Sequence, residues 1–105
     1  MYRLTVLYGR PDDPAAFDEY YRTTHLAIAQ RMRGLTGWNL TWITQQEGEV
    51  APPIHLVVDL YAQDRDAMDA ILASENGMAA SADVANFATG GATYVYGDEE
   101  QVPLV

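Results

Sequence analysis

At 105 residues, 49% of them hydrophobic, the chain has the length of one domain, 1–105, and enough apolar material for a core, which excludes a globally disordered chain. Six arginines and no lysine against fifteen Asp and Glu give a net charge of −9, a field that repels phosphate backbones and anionic lipid, so nucleic-acid and membrane partners are excluded. The absence of cysteine excludes a disulfide framework, thiolate catalysis and a Cys-ligated iron–sulfur cluster; no apolar run suits a signal peptide or a bilayer span, and the expected location is cytoplasmic.

The chain opens with "YRLTVLY" (2–8), rich in Leu, Val and Tyr and closed by Gly9 and Pro11, which predicts a strand. "DDPAAF" then starts a helix, with Asp13 as N-cap and Pro14 at the first helical position, where its missing N–H costs nothing. Gly34 fits the left-handed residue just past the helix end, giving a helix of about twenty residues. "GWNLTWITQ" (37–45) and "IHLVVDLYA" (54–62) read as strands around the loop "QEGEVAPP". Asp64 caps a second helix, "RDAMDAILAS" (65–74), with Met68, Ile71 and Leu72 on one face. "ENGMAASADVANFA" (75–88) reads as a short helix or irregular turns, and "GGATYVYG" (90–97) as a last strand. The tail ends in apolar "VPLV", loose unless it docks on something.

This order, β-α-β-β-α-β, is the split βαβ signature of an α+β, ferredoxin-like sandwich. Both helices then cover one face of a four-stranded sheet. In the third strand Leu56, Val58 and Leu60 alternate with His55, Val57, Asp59 and Tyr61, and the second set is too apolar for a fully wetted surface. A sheet with two semi-apolar faces and helices on only one predicts a second sheet against it, most simply in a homodimer. Asp59, a carboxylate in mid-strand, is either at a wet edge of that second face, the preferred reading, or a pocket group.

At about 100° per residue, Phe17, Tyr21, Thr24, Ile28, Met32 and Leu35 form the central apolar stripe of the first helix, with His25 on its shoulder. An imidazole there reaches the gap between helix and sheet, where it can shuttle a proton or hydrogen-bond a bound oxygen. On pattern alone the commoner role of such a residue is a boundary histidine bonded to a tyrosine or a backbone carbonyl. Trp38 and Trp42 share one face of the second strand, as core or as an aromatic wall opposite His25. His55 opens its strand and is assigned a cross-strand contact. Two histidines with no ligand spacing around them give no metal site, and a lone His is little ground for haem. No Gly-rich phosphate loop and no G-x-S-x-G serine is present, and no cofactor is signalled.

The segments "LTVLYGRPDDPAAFDEYYRTTHLAIAQRMRGL", "HLVVDLYAQDRDAMDAILAS" and "ANFATGG" resemble the EthD family over roughly residues 2–97, most specifically in "YYRTTH" and "ANFATGG". The resemblance implies a ferredoxin-like fold that dimerises into an α/β barrel. The family is named for a protein required in bacterial breakdown of ethyl tert-butyl ether, encoded beside a cytochrome P450 system. Related members include enzymes that cyclise, dehydrate or decarboxylate aromatic polyketides, and many carry only a "reductase" label. The family's first-helix histidine falls on His25; its usual "H-x-P" is "HLAIA" here, which implies a straighter helix after His25.

Two functions follow as expectations. In the first, a small hydrophobic oxygenated compound binds between helices and sheet against Tyr8, Tyr21, Trp38, Trp42 and Phe87, and His25 acts on it as general acid or base without a cofactor. In the second, a non-catalytic dimer holds or delivers such a compound for a cytochrome P450 oxygenase system.

Overall fold

Strand β1 (Tyr2–Gly9) occupies the middle of a four-stranded antiparallel sheet, with β3 (Ile54–Ala62) on one side and β4 (Ala92–Asp98) on the other; β2 (Gly37–Trp42) flanks β3, giving the order β2-β3-β1-β4. The computed structural model describes residues 1–105. Alternation decides which side chains go inward. Leu4, Val6 and Tyr8 of β1 and Leu56, Val58 and Leu60 of β3 are buried on the face covered by helices. Burying an aliphatic side chain of this size contributes roughly 1.5–3 kcal/mol, so these two strands carry much of the hydrophobic stabilisation. The architecture is α+β and ferredoxin-like, as the order of elements implies.

Asp13 caps α1 (Pro14–Tyr20), its side chain accepting from Ala16 N at 3.1 Å, with Pro14 in the first turn. The helical run then changes pitch. Tyr21–His25 forms one π-helical turn, in which the Leu26 N–H bonds the Tyr21 carbonyl five residues back, before α2 (Leu26–Ala29) resumes the α form. The buried residues explain the turn. Phe17, Tyr21, His25 and Ala29 recur every four residues, and at 3.6 residues per turn such a row drifts by about 40° per step. One wider turn cancels much of that drift and keeps the row facing the sheet. His25 therefore stands in the stripe itself, while Thr24 and Ile28, expected there, are only half-buried. The helical run ends at Ala29, shorter than the expected twenty residues; Gly34 does adopt a positive φ of 101°, but in the loop beyond.

Asp64 caps α3 (Arg65–Ala73) through Ala67 N at 2.8 Å, and Ser74 caps α4 (Glu75–Asp83) through Gly77 N at 3.1 Å, so the Ala-rich segment is a regular nine-residue helix. A short 3₁₀ turn, Val84–Asn86, follows. Gly77 lets the two helices approach: a Cβ there would strike the Ile71 carbonyl oxygen.

Two residues of the second sheet face differ from expectation. The register slips between Tyr8 and Gly9, whose partners are Leu56 and Ile54, leaving His55 as an extra residue. Such a bulge re-aims a side chain: His55 Nε2 bonds Asp18 Oδ1 of α1 at 2.7 Å and its ring meets Phe17 at 5.0 Å on the helix side, while it keeps the expected cross-strand contact, with Trp42 of β2 at 5.9 Å. Asp59 is not at an edge, because β3 is flanked on both sides; it accepts from Thr5 Oγ1 at 2.6 Å and pairs with Arg3 at 3.7 Å in the centre of the face.

Candidate functional site

The π turn aims His25 into the interior, where it is only 5% exposed. Its Nδ1 lies 2.9 Å from Oδ2 of Asp83, the last residue of α4, itself 7% exposed. The other carboxylate oxygen, Oδ1, accepts from the Tyr20 hydroxyl at 2.7 Å and from Asn86 Nδ2 at 3.0 Å. Burial pushes the Asp83 carboxyl up, but the bonds from Tyr20, His25 and Asn86 outweigh it and hold it below its ordinary value. Conversely the bond to Asp83 raises the Tyr20 hydroxyl, with burial adding to it. Asp83 is thus an acceptor only, which assigns the proton to His25 Nδ1 and leaves Nε2 with a lone pair in the neutral ring. Nε2 has no partner in the chain and is not enclosed, since Trp38 Nε1 alone is a buried side-chain polar atom without a bond.

A cavity of about 160 Å³ opens beside His25, between the inner face of β1 and β4 and the helices α2 and α4. Its wall includes Tyr8, Tyr21, Trp38, Tyr94 and Tyr96; fourteen of its seventeen residues are hydrophobic and none is charged, so the wall favours a neutral, mostly apolar guest. An apolar cavity of roughly 150 Å³ accepts a benzene ring. A wider surface hollow of about 370 Å³ near Val50 and Gly90 has Thr93 as its single polar side chain, so it offers volume without chemistry. No group of three or more His, Asp or Glu side chains converges anywhere as a metal ligand set.

The structure brings His25, Tyr8, Tyr21 and Trp38 to this wall and leaves two expected lining residues out of it. Trp42 sits toward the other end of β2, where Arg22 stacks over its ring at 4.4 Å and Phe17 and His55 meet its edge. Phe87 lies behind the histidine, 4.7 Å from its ring, and stacks on Tyr20 at 5.3 Å. It packs against these two rings and does not line the cavity. Asp83, Tyr94 and Tyr96 belong to the site without having been singled out in the sequence. Gly77, Ala80 and Asp83 are the buried residues of α4 and recur every third position, so the fold sets this carboxylate on the inward stripe of the helix.

The EthD domain model matches residues 10–91 of the chain. An uncharacterised 11.0 kDa protein of Rhodococcus erythropolis, from the thcB–thcC intergenic region, is 37% identical over 102 residues, spanning 97% of this chain and 98% of its own. A crystal structure of an EthD family protein from Bacillus halodurans superposes with a TM-score of 0.86 at 30% identity, covering 95% of this chain and 99% of that one. SnoaB, a cofactor-independent oxygenase from Streptomyces nogalater, shares the fold alone, with a TM-score of 0.60 at 14% identity over 96% and 93% of the two chains.

Proposed function

This chain belongs to the EthD family, and from that premise we propose that it binds a small hydrophobic oxygenated compound in the cavity between helices and sheet, where His25 acts as general base and then general acid. The observation that carries this reading is the His25–Asp83 pair at 2.9 Å, with Nε2 left free beside an uncharged, ring-lined cavity. Asp83 fixes the ring orientation and tautomer and stabilises the imidazolium that forms once Nε2 takes a proton, the division of labour known from other His–Asp pairs. Tyr20 and Asn86 hold the carboxylate in turn. The apolar wall excludes water, which strengthens each of these interactions.

The active form is a homodimer in this reading. Tyr94, Val95 and Tyr96 of β4 are 40%, 47% and 51% exposed in one chain, and both β2 and β4 are open sheet edges. Exposed apolar edges of this kind recruit another strand or sheet. Two such sheets, face to face, make the α/β barrel.

A carrier that delivers the compound within a cytochrome P450 system is the alternative, favoured by the apolar wall taken alone. His25→Gln separates the two. Phenol is titrated into wild type and variant while the histidine ¹⁵N and Trp38 indole signals are followed. Shifts at His25, Trp38, Tyr8 and Tyr21 are expected in wild type, with binding within about threefold in the variant. Shifts confined to residues outside the cavity would sink the proposal. Conversion of candidate oxygenated substrates by wild type and not by His25→Gln selects the enzyme over the carrier.

A further inference from the structure

Tyr8 and Tyr21 border the cavity and are 2% and 1% exposed; the Tyr8 hydroxyl bonds no other group of the chain, the Tyr21 hydroxyl has only the Trp38 indole N–H beside it, and neither oxygen is sealed from the cavity. Buried polar groups are ordinarily paired, and leaving one unmade costs on the order of 1–3 kcal/mol. Each hydroxyl still has its proton to donate, so the small wall presents two donors beside the free Nε2 of His25, and a guest that leaves them unpaired on displacing water bears this cost. The two rings meet edge to face at 5.9 Å, and the Tyr21 ring lies 5.1 Å from that of His25. Both hydroxyls and the imidazole therefore belong to one patch of wall.

Resting on the cavity reading above, we infer that the site selects an uncharged carbonyl compound, whose oxygen accepts hydrogen bonds from the Tyr8 and Tyr21 hydroxyls while a C–H on the adjacent carbon faces His25 Nε2. The wall excludes the competing classes. A carboxylate would bring a charge into a lining that holds no cation, beside the Asp83 carboxylate and within a chain of net charge −9. A plain hydrocarbon would fit the rings but leave both hydroxyls unpaired. Burial raises both tyrosine hydroxyls above their ordinary value of 10.0, so they remain donors through the neutral range.

The chemistry this arrangement supports is enolisation. The C–H bond breaks, its proton goes to His25 Nε2, and its electron pair forms the C=C bond as the carbonyl electrons move to oxygen. The developing oxyanion is met by the two tyrosine donors, and Asp83 balances the imidazolium. Return of a proton from Nε2 to carbon restores the ketone, so neither oxidant nor cofactor enters the balance. A further step on the enol would depend on what else the true substrate carries.

The test uses three probes of one shape: acetophenone, ethylbenzene and benzoate. Calorimetric titration of the full chain is expected to give acetophenone a dissociation constant at least about tenfold below that of ethylbenzene, which corresponds to 1.4 kcal/mol, and no measurable benzoate binding. Tyr21→Phe and Tyr8→Phe keep the ring and should each narrow that preference, while ethylbenzene affinity stays level and reports that the cavity is intact. In heavy water, proton NMR should record loss of the acetophenone methyl signal with wild type and not with His25→Gln, although that variant keeps the acetophenone preference. Ethylbenzene binding as tightly as acetophenone, or methyl exchange unaffected by His25→Gln, would overturn the carbonyl assignment and leave the cavity reading standing. Failure of all three probes to bind would remove both.

Discussion

A single carboxylate organises the site. Asp83 Oδ1 already takes hydrogen bonds from Tyr20 and Asn86, and Oδ2 takes one from His25. In Asp83→Asn the remaining carbonyl oxygen satisfies Tyr20 and Asn86, which turns the new NH₂ toward His25 Nδ1. The ring must then accept at Nδ1 and carry its proton on Nε2, the wrong tautomer for a base at the cavity. Acid–base turnover should fall on the order of 10³–10⁴-fold, as when an analogous His–Asp pair is broken this way. The ¹⁵N shifts of the ring should exchange their pattern, a readout that mere loosening would not produce. The substitution also makes a prediction in pH. The folded-state value of Asp83 is lowered, so its stabilising contribution is full above the ordinary 3.8 and is lost as pH falls through the folded value. Denaturation curves of wild type and Asp83→Asn should converge as pH drops below about 4 and separate above it. His25 was legible in the sequence because it is an unusual residue beside an apolar stripe. Asp83 was not, because its partners Tyr20 and His25 lie 63 and 58 positions away, and only the fold brings them together.

At the level of elements, the strands and helix caps follow from local chemistry: Asp13, Asp64 and Ser74 each cap the next helix through a backbone N–H three residues on. The π turn is the element that local pattern reading passes over. A ruler of 100° per residue places Thr24 in the stripe, whereas the four-residue spacing of Phe17, Tyr21, His25 and Ala29 needs a wider turn. The same blindness moved His55, since a bulge, like a π turn, adds one residue and redirects a side chain. Deleting Thr23, an exposed residue of the turn, tests this account. The shortened segment can close as plain α-helix, so helical circular dichroism should persist. The residues on either side of the deletion rotate by about 100° relative to one another, so Tyr21 and His25 cannot both face the cavity. Loss of the His25–Asp83 bond in NMR with helicity retained is the expected outcome. A deletion variant that keeps both would show that the turn has no part in aiming the histidine.

The molecule as a whole leaves large apolar side chains exposed, Tyr94, Val95 and Tyr96 of β4 among them. On the sheet face that carries no helix, Val95 of the edge strand β4 stands opposite Thr5, and half-buried Val57 and Tyr61 lie on the same face. If that face meets its counterpart in a second copy, two bodies of −9 each approach, a total of −18 from 2 × −9. Long-range repulsion then opposes the association that apolar burial drives, while the Arg3–Asp59 and Arg3–Glu99 contacts stay within each chain. Salt screens the repulsion, the Debye length shrinking from about 30 Å at 0.01 M to about 8 Å at 0.15 M, and leaves apolar burial nearly untouched. The dimer should therefore tighten as salt rises over that range, by several-fold in dissociation constant measured by sedimentation velocity. Interfaces built on intersubunit ion pairs respond in the opposite sense. Val95→Lys, which sets a charged stem on that face, should weaken the dimer by at least tenfold while the thermal midpoint at high dilution stays near that of wild type, because Val95 is 47% exposed in the single chain. A wild-type chain that sediments as a monomer at every salt concentration would remove the second copy from the account.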